Sequence, residues 1–366
     1  MKTDFAELTS NFTFEGTFID AVPYGFGHIN GTYLARFKQT DGTLHPYILQ
    51  RINQNVFKCP PQVMHNMQRV TEHLRTKIAD AGGDTSRGTI NLIPTITGNV
   101  FYQAADGEYW RAETFILDAK SYLRATSLEH NYHAAYAFGT FQKMLSDFPI
   151  TDLHFTIPDF HHTPKRLDAF CASVESDPFN RAREVQTEID FVLTRARHTR
   201  TLIELQEKGA IPERVTHNDT KIDNVMIDDL TGEGVCVIDL DTVMPGLAVY
   251  DFGDAVRSGA NAGAEDEPDL SKVWLDLEVF DRLTHGYLDA ARDFLTPTEI
   301  DHLPFSAILM TLECGLRFLA DHINGDVYFK TRRPHHNLDR ARTQFKLIQD
   351  METHFAEMVQ IVAAYR

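Results

Sequence analysis

The sequence predicts an α+β fold in two lobes, a small strand-rich lobe followed by a larger helical one. Three observations carry this. Period-two alternation dominates residues 12 to 52, and period-3.6 apolar spacing dominates from Lys120 onward. Two short strand-like runs then interrupt the helical part around residues 225 to 238.

Taken in order, Thr17 to Tyr24 reads as a strand leading into Gly25-Phe-Gly-His-Ile-Asn-Gly31. Thr32 to Phe37 alternates, Asp41-Gly42 marks a turn, and Tyr47 to Ile52 is a third run. Val63, Met67, Val70, Leu74 and Ile78 recur at steps of three and four, the signature of an amphipathic helix. Asn99 to Ala104 and Glu108 to Ile116 read as strands flanking the Asp106-Gly107 turn. Beyond Lys120, His133 to Leu145 is helical, and Thr163-Pro164 reads as an N-cap and first-turn pair opening another helix. Glu184 to Gln206 is expected as one long helix, and Met310 to Ile323 and Leu338 to Ala364 as two more. Val225 to Ile227 and Gly234 to Ile238 are short strands. The lobes are expected to divide as residues 1–115 and 116–366, with the hinge near Thr114 to Asp118. A sheet-bearing lobe, a hinge, then helices around a hairpin is the protein-kinase-like plan.

A chain of 366 residues is long enough for two lobes, each with its own core. Its net charge of −17 argues against nucleic acid or an anionic membrane as partner, since both reward a basic face. Cys59, Cys171, Cys236 and Cys314 lie far apart without C-x-x-C spacing, which argues against a zinc site or a disulfide framework and fits a reducing compartment. Lys2 and Asp4 follow Met1 where a secretory signal would be apolar, and no run reaches a membrane span of about 18 apolar residues. The expectation is a cytoplasmic protein, a monomer, acting on a small molecule.

The chemistry is concentrated in Val215-Thr-His-Asn-Asp-Thr-Lys-Ile-Asp-Asn-Val-Met-Ile227, which places His217, Asp219 and Asn224 in H-x-D-x-x-x-x-N spacing. Fifteen residues after Asn224, the apolar run Val235 to Ile238 ends in Asp239. Phosphoryl transfer from ATP needs these groups, because its loose transition state leaves mainly positioning and charge neutralisation to the protein. Asp219 is the candidate general base for the attacking hydroxyl. Asn224 and Asp239 are the candidate Mg2+ ligands, with Asp241 assisting the metal or orienting Asp239. Lys221 would neutralise developing charge, or is a solvated lysine. Each residue alone is ordinary, since Asp and Asn favour turns by bonding their own backbone; the combination is what points to a kinase. Asp251, in Tyr250-Asp-Phe-Gly-Asp254, is expected to brace the loop by accepting backbone N–H groups. Its Asp-Phe-Gly comes too late to be the metal motif.

Gly25-x-Gly27-x-x-x-Gly31 is one residue too long for a dinucleotide fingerprint and opens into a strand, and no G-x-x-x-x-G-K-[ST] occurs. A glycine loop between strands fits a flap over ATP phosphates, its ordinary alternative being a plain hairpin turn. Gly25, Gly27, Asn30 and Thr32 are thus candidate nucleotide contacts, with Thr114 and Ile116 at the hinge. Arg51 is the candidate phosphate cation on the third strand, its alternative a solvated edge arginine. The one glutamate on the following helix, Glu72, lies opposite the apolar stripe, so no partner for that cation is evident.

His-Asn-Asp-Thr-Lys-Ile-Asp-Asn and Ile-Asp-Leu-Asp-Thr-Val-Met-Pro-Gly resemble the aminoglycoside phosphotransferase superfamily, which also contains choline and homoserine kinases. Within it the chain is most similar to the N-acetylhexosamine 1-kinase group. That likeness runs through Pro23-Tyr-Gly-Phe-Gly-His-Ile-Asn30, Tyr47-Ile-Leu-Gln-Arg51, Arg214-Val-Thr-His-Asn-Asp-Thr-Lys221 and Leu303-Pro-Phe-Ser306. It continues through Glu313-Cys-Gly-Leu-Arg-Phe-Leu-Ala-Asp321, Gly325-Asp-Val-Tyr-Phe329 and His336-Asn-Leu338. The resemblance implies ATP- and Mg2+-dependent phosphorylation of an N-acetylhexosamine at its anomeric hydroxyl, with Asp219 as base and Asn224 and Asp239 as metal ligands. Arg317 and Asp321, on a polar helix row, are expected to reach sugar oxygens, and His28 and Tyr328 are further candidate sugar contacts. Glu313, Arg317 and Asp321 also stand in an i, i+4, i+8 row, whose alternative reading is an intrahelical salt-bridge ladder. A polycationic acceptor would instead need an acidic pocket, for which Glu265-Asp-Glu267 and Asp269 are the available candidates. A non-catalytic nucleotide-binding module is disfavoured, since Asp219, Asn224 and Asp239 are all present.

Overall fold

The computed structural model describes residues 3–25, 27 and 29–366. Its elements in chain order are α1 (Phe5–Thr9), β1 (Thr17–Pro23), β2 (Gly31–Lys38), β3 (Leu44–Ile52), α2 (Pro60–Asp80), β4 (Tyr102–Gln103), β5 (Tyr109–Thr114), β6 (Ala119–Lys120) and α3 (Leu128–Met144). They continue with α4 (Thr163–Ser176), α5 (Gln186–Thr194), α6 (Thr201–Glu207), β7 (Arg214–Thr216), β8 (Val225–Asp228), β9 (Gly234–Val237) and β10 (Met244–Gly246). The rest is helical: α7 (Ala248–Gly259), α8 (Leu277–Ala291), α9 (Pro297–Ile323), α10 (His336–Thr353) and α11 (Phe355–Ala364).

The N-terminal strands form one antiparallel sheet in the order β1-β2-β3-β5-β4. Strand alternation gives it two different faces. Ala35, Phe37, Tyr47, Leu49, Trp110 and Ala112 pack one face against Leu8 and Phe12. The other face carries Thr32, Gln50 and Arg111, with Gln50 directly opposite both partners in register. Helix α2 buries Val63, Met67, Val70 and Leu74, as its spacing predicts. That stripe enters a second core cluster with Ile52, Ile116, Phe138, Phe141, Val225 and Val237, which ties sheet, α2, α3 and the β8–β9 hairpin together.

A third cluster holds the helical region around α9, whose start is set by a full Thr296/Glu299 capping box. Helix α9 is long and apolar enough to cross a membrane, but 78% of its most apolar window is buried among its neighbours. It is a core helix. Helices α3 and α8 approach closely because glycines face the contact: a Cβ on Gly286 would stand 2.1 Å from the Tyr132 carbonyl, and one on Gly139 2.7 Å from that of Tyr287.

Several expectations change. The strand over Asn99 to Ala104 shrinks to Tyr102–Gln103. The helix at residue 163 is capped by His162, whose ring accepts from the Lys165 N–H, so Thr163 already lies inside it. The expected long helix over 184 to 206 is broken near Arg195. There Thr194 and Thr199 hydroxyls bond back to the Phe191 and Ala196 carbonyls, which competes with the helical ladder. Arg195 itself folds over the Phe191 ring, 3.6 Å from its centroid, and pairs with Glu352 on α10 at 2.7 Å. The C-terminal helix breaks at His354, which lets α11 turn and bury Met358 and Val362.

Candidate active site

The loop after β7 is built from its own backbone bonds outward. Asp251 on α7 accepts the N–H groups of Asn218 at 2.7 Å and His217 at 2.9 Å, and the Gln142 amide at 2.6 Å. This is the bracing role expected for it. His217 is fully buried against Phe138 and Phe141; its Nδ1 accepts the Asp219 N–H at 3.2 Å, and its Nε2 donates to the Ile238 carbonyl at 2.9 Å. Asn218 adopts φ +65°, a left-handed conformation that asparagine tolerates because its side chain bonds locally.

This scaffold brings Asp219, Lys221, Asn224 and Asp239 together. Lys221 Nζ lies 3.2 Å from Asp219 Oδ2, and Asn224 Nδ2 donates to the same oxygen at 3.1 Å and to the Asp219 carbonyl at 2.8 Å. Burial pushes the Asp219 carboxyl up, but the Lys221 ammonium and other nearby cations outweigh it and hold Asp219 below the ordinary carboxylate range. Asp219 in turn raises the Lys221 ammonium above its ordinary value. The Asn224 carbonyl bonds the Ile238 N–H at 2.9 Å, which seats Asp239 beside it.

Asp239 sits at φ +59° and has no hydrogen-bond or ion-pair partner among the described residues. Loss of solvation by the surrounding protein, then the negative charges of Asp241 and Asp219, push its carboxyl up to about 7. A site crowded with carboxylates and short of positive charge fits a divalent cation. Among the described residues no cluster of three or more His, Cys, Asp or Glu side chains could hold a metal alone. Asn224 and Asp239 would therefore supply only part of the shell, as Mg2+ accepts when phosphate oxygens and water complete it.

Asp241 stands differently from its expected place on the metal. One oxygen pairs with Arg111 and the other accepts from the Asn30 amide, so both are engaged by protein. Arg111, almost fully buried, lies 2.9 Å from Glu113 and donates to Gln50 at 2.9 Å, and Gln50 donates onward to Thr32 at 3.0 Å. Burial opposes the Arg111 charge, yet Asp241 and Glu113 hold it above even its high ordinary value. Asn30 also accepts the Asn53 N–H at 3.0 Å. Asn30 and Thr32 are thereby strapped to the loop that carries Asp239 and Asp241. Among the described residues, a Cβ on Gly25 or Gly27 would meet nothing within 4 Å.

Arg51 lies on the other face. It is paired in register with Gly31 and Trp110, is half-exposed, and faces Glu108 at 3.9 Å. Alternation along β3 turns it away from the carboxylates. The buried cation at the site is Arg111, and its acidic partner Glu113 comes from the same strand, while Glu72 stays outside with Arg69. A charged pair at i and i+2 within the apolar run Tyr109 to Ile116 was the available signal. Ile116 is buried in the second cluster, and the Thr114 N–H donates to the Asn91 carbonyl while its hydroxyl has no partner among the described residues.

Below the loop after β7, His161 links it to α9, with Nδ1 2.7 Å from Glu313 and Nε2 3.2 Å from the Asn218 carbonyl. One turn along α9 is Arg317, whose guanidinium lies over the rings of Phe160 (5.5 Å) and Phe329 (5.6 Å). It has no hydrogen bond or ion pair among the described residues. Arg166 packs near Phe160 as well and bonds its carbonyl at 2.9 Å. The salt-bridge ladder along α9 does not form. Asp321 instead accepts the N–H groups of Val327, Tyr328 and Phe329 and the Asn337 amide, which occupies both oxygens in shaping that loop. Tyr328 is largely exposed. His28 lies outside the described residues.

Sheet, catalytic loop and carboxylates together define a small-molecule phosphotransferase. The chain belongs to the phosphotransferase enzyme family (APH), whose model matches residues 23–285. Solved structures share the fold at low identity. An aminoglycoside phosphotransferase from Alicyclobacillus acidocaldarius subsp. acidocaldarius DSM 446 aligns with TM-score 0.61 and 12% identity over 100% of this chain and 97% of that one. A microcompartment-associated aminopropanol kinase aligns with TM-score 0.60 and 16% identity over 97% of each chain. An amicoumacin kinase in complex with AMP-PNP, Ca2+ and Ami aligns with TM-score 0.60 and 11% identity over 94% of this chain and 92% of that one.

Proposed function

We propose that this chain transfers the γ-phosphoryl group of ATP to the anomeric hydroxyl of a neutral sugar, an N-acetylhexosamine, giving the sugar 1-phosphate and ADP. The carrying observation is the charge of the acceptor side. Arg317 and Arg166 flank Phe160, and the aromatic faces that would cage an ammonium are already covered by Arg317. The acidic run is likewise taken up: Glu265 faces Arg257 at 3.4 Å and Arg340 at 3.7 Å, and Asp266 bonds His336 at 2.8 Å. Both features disfavour aminoglycosides and amino alcohols. An unpaired guanidinium suits hydroxyl and amide-carbonyl oxygens, which a neutral acetamido sugar supplies.

In this reading the sugar oxygen attacks the γ-phosphorus as the bond to the ADP oxygen breaks, and Asp219 takes the hydroxyl proton. Its lowered pKa makes Asp219 a hydrogen-bond acceptor first and a base late, which suits a loose transition state. Mg2+ held by Asn224 and Asp239 would neutralise the triphosphate. The resemblance to the N-acetylhexosamine 1-kinase group supports the sugar, and we take residues 1–115 as the nucleotide lobe.

A coupled ADP-release assay over N-acetylglucosamine, N-acetylgalactosamine, kanamycin, choline, homoserine and aminopropanol tests the reading. Turnover confined to the amino alcohols or kanamycin would reject it. Arg317→Ala is expected to raise acceptor KM by about tenfold or more, the scale of a lost charge-assisted hydrogen bond, with nucleotide KM unmoved. An unchanged acceptor KM removes Arg317 from the site. Because a proton must leave Asp239 before it ligates, Mg2+·nucleotide affinity measured by calorimetry should fall by up to about tenfold per pH unit below about 7. A flat profile between pH 6 and 8 would mean that Asp239 is already ionised throughout that range.

A further inference from the structure

We propose that His161 is held as an imidazolium and serves as a positioning residue that fixes the peptide carrying Asp219. The argument is one of donors and acceptors. Both ring nitrogens face groups that only accept, the Glu313 carboxylate at 2.7 Å and the Asn218 carbonyl at 3.2 Å. Neutral imidazole has one N–H, so one of these contacts would set lone pair against lone pair; the imidazolium satisfies both. The site is dry, with side-chain exposures of 8% for His161 and 2% for Glu313, and the other Glu313 oxygen accepts the buried Thr163 hydroxyl at 2.7 Å.

The consequence lies in one peptide plane. Its carbonyl, from Asn218, is held by His161, and its N–H, from Asp219, is held by His217 at 3.2 Å. Pinning both ends fixes the direction in which Asp219 leaves the loop, directly after a residue held in the left-handed region. Since Glu313 lies one turn from Arg317 on α9, the same clamp joins the acceptor wall to the base.

The groups facing His161 agree in sign. Glu313 and Thr163 approach it from α9 and α4, Asp254 and the Tyr250 ring from α7, and Asn218 from the catalytic loop; Arg317 and Arg166 lie beyond Glu313, and Arg257 is paired to Asp254. Burial opposes the His161 charge, but Glu313 and Asp254 outweigh it and raise the imidazole above its ordinary value. Burial also opposes the Glu313 charge, and His161 holds that carboxyl below its ordinary range. The histidine's contribution is therefore full below about 6.5 and is lost as pH rises through the raised folded value, which places the loosening on the alkaline side.

The inference rests on Asp219 being the base, but its ionic part can be tested without any substrate. Long-range 1H–15N spectra of the labelled full chain at pH 7.5 should show both His161 ring nitrogens protonated. Whichever variant folds makes the assignment: His161→Gln deletes the signal, and Glu313→Gln moves it to the neutral pattern. A neutral tautomer in the unaltered protein overturns the proposal whatever the acceptor is. In Glu313→Gln the alkaline limb of kcat should also move down by about one pH unit or more, the usual reach of a neighbouring charge, with nucleotide KM unchanged. An unmoved limb would leave His161 with packing alone and overturn the positioning role.

Discussion

Asp219→Asn should lower kcat by about a hundred- to ten-thousand-fold, the range in which a positioned general base contributes. Nucleotide affinity should stay close to that of the unaltered chain. The substitution keeps the shape of the side chain, and the amide oxygen can still accept from Asn224 Nδ2, which lies 3.1 Å from Asp219 Oδ2. What it removes is the charge that receives the acceptor proton and balances Lys221. The backbone is set elsewhere, by Asp251 and His217, so the loop should keep its course. The Asp219–Lys221 contact is about one-third exposed on each side, so its loss should cost stability little beyond a surface ion pair, about 0–1 kcal/mol. Turnover by coupled ADP release and binding of a fluorescent nucleotide separate the two effects. Near-normal kcat means that another group takes the proton; joint loss of nucleotide binding means that Asp219 shapes the phosphate site.

The sequence made the catalytic loop legible because its chemistry is local. His217, Asp219 and Asn224 fall within one loop, and β8 and β9 bring Asp239 alongside by a short hairpin. Alternation and apolar spacing likewise disclosed the sheet and α2. What local reading missed depends on which face a residue takes or on which distant partner it finds. Arg51 and Arg111 both lie on strands of one sheet, and only the register shows that Arg111 shares a face with Gln50 and Thr32 while Arg51 shares one with Trp110. Asp321 looked available on a polar row, but residues six to eight positions onward fold back and take both of its oxygens. His161 joins Glu313 across 152 positions, a pairing that no spacing rule reaches.

Arg111→Met is the second large effect, and it falls on stability. Methionine fills much of the volume but strands Asp241 and Glu113 in a site that excludes water, where removing one partner of a buried ion pair costs about 3–5 kcal/mol. Asp241 keeps the Asn30 amide, while Glu113 keeps no hydrogen bond to its Oε1. Burial, followed by the Asp241 charge, already raises the Glu113 carboxyl, with Arg111 as the opposing influence. Without the guanidinium the Glu113 carboxyl should be raised further in the folded state. The folded variant then binds more protons than the unfolded chain, so its stability should recover as pH falls through the raised value. Urea unfolding at pH 5.5 and pH 8 should therefore show the larger deficit at pH 8. An equal deficit at both would mean that packing, not charge, is what Arg111 supplies. No deficit would mean that the strap between sheet and metal loop carries no energy. The deficit traces to one guanidinium, which couples the sheet under the glycine loop to Asp241 in the loop after β9.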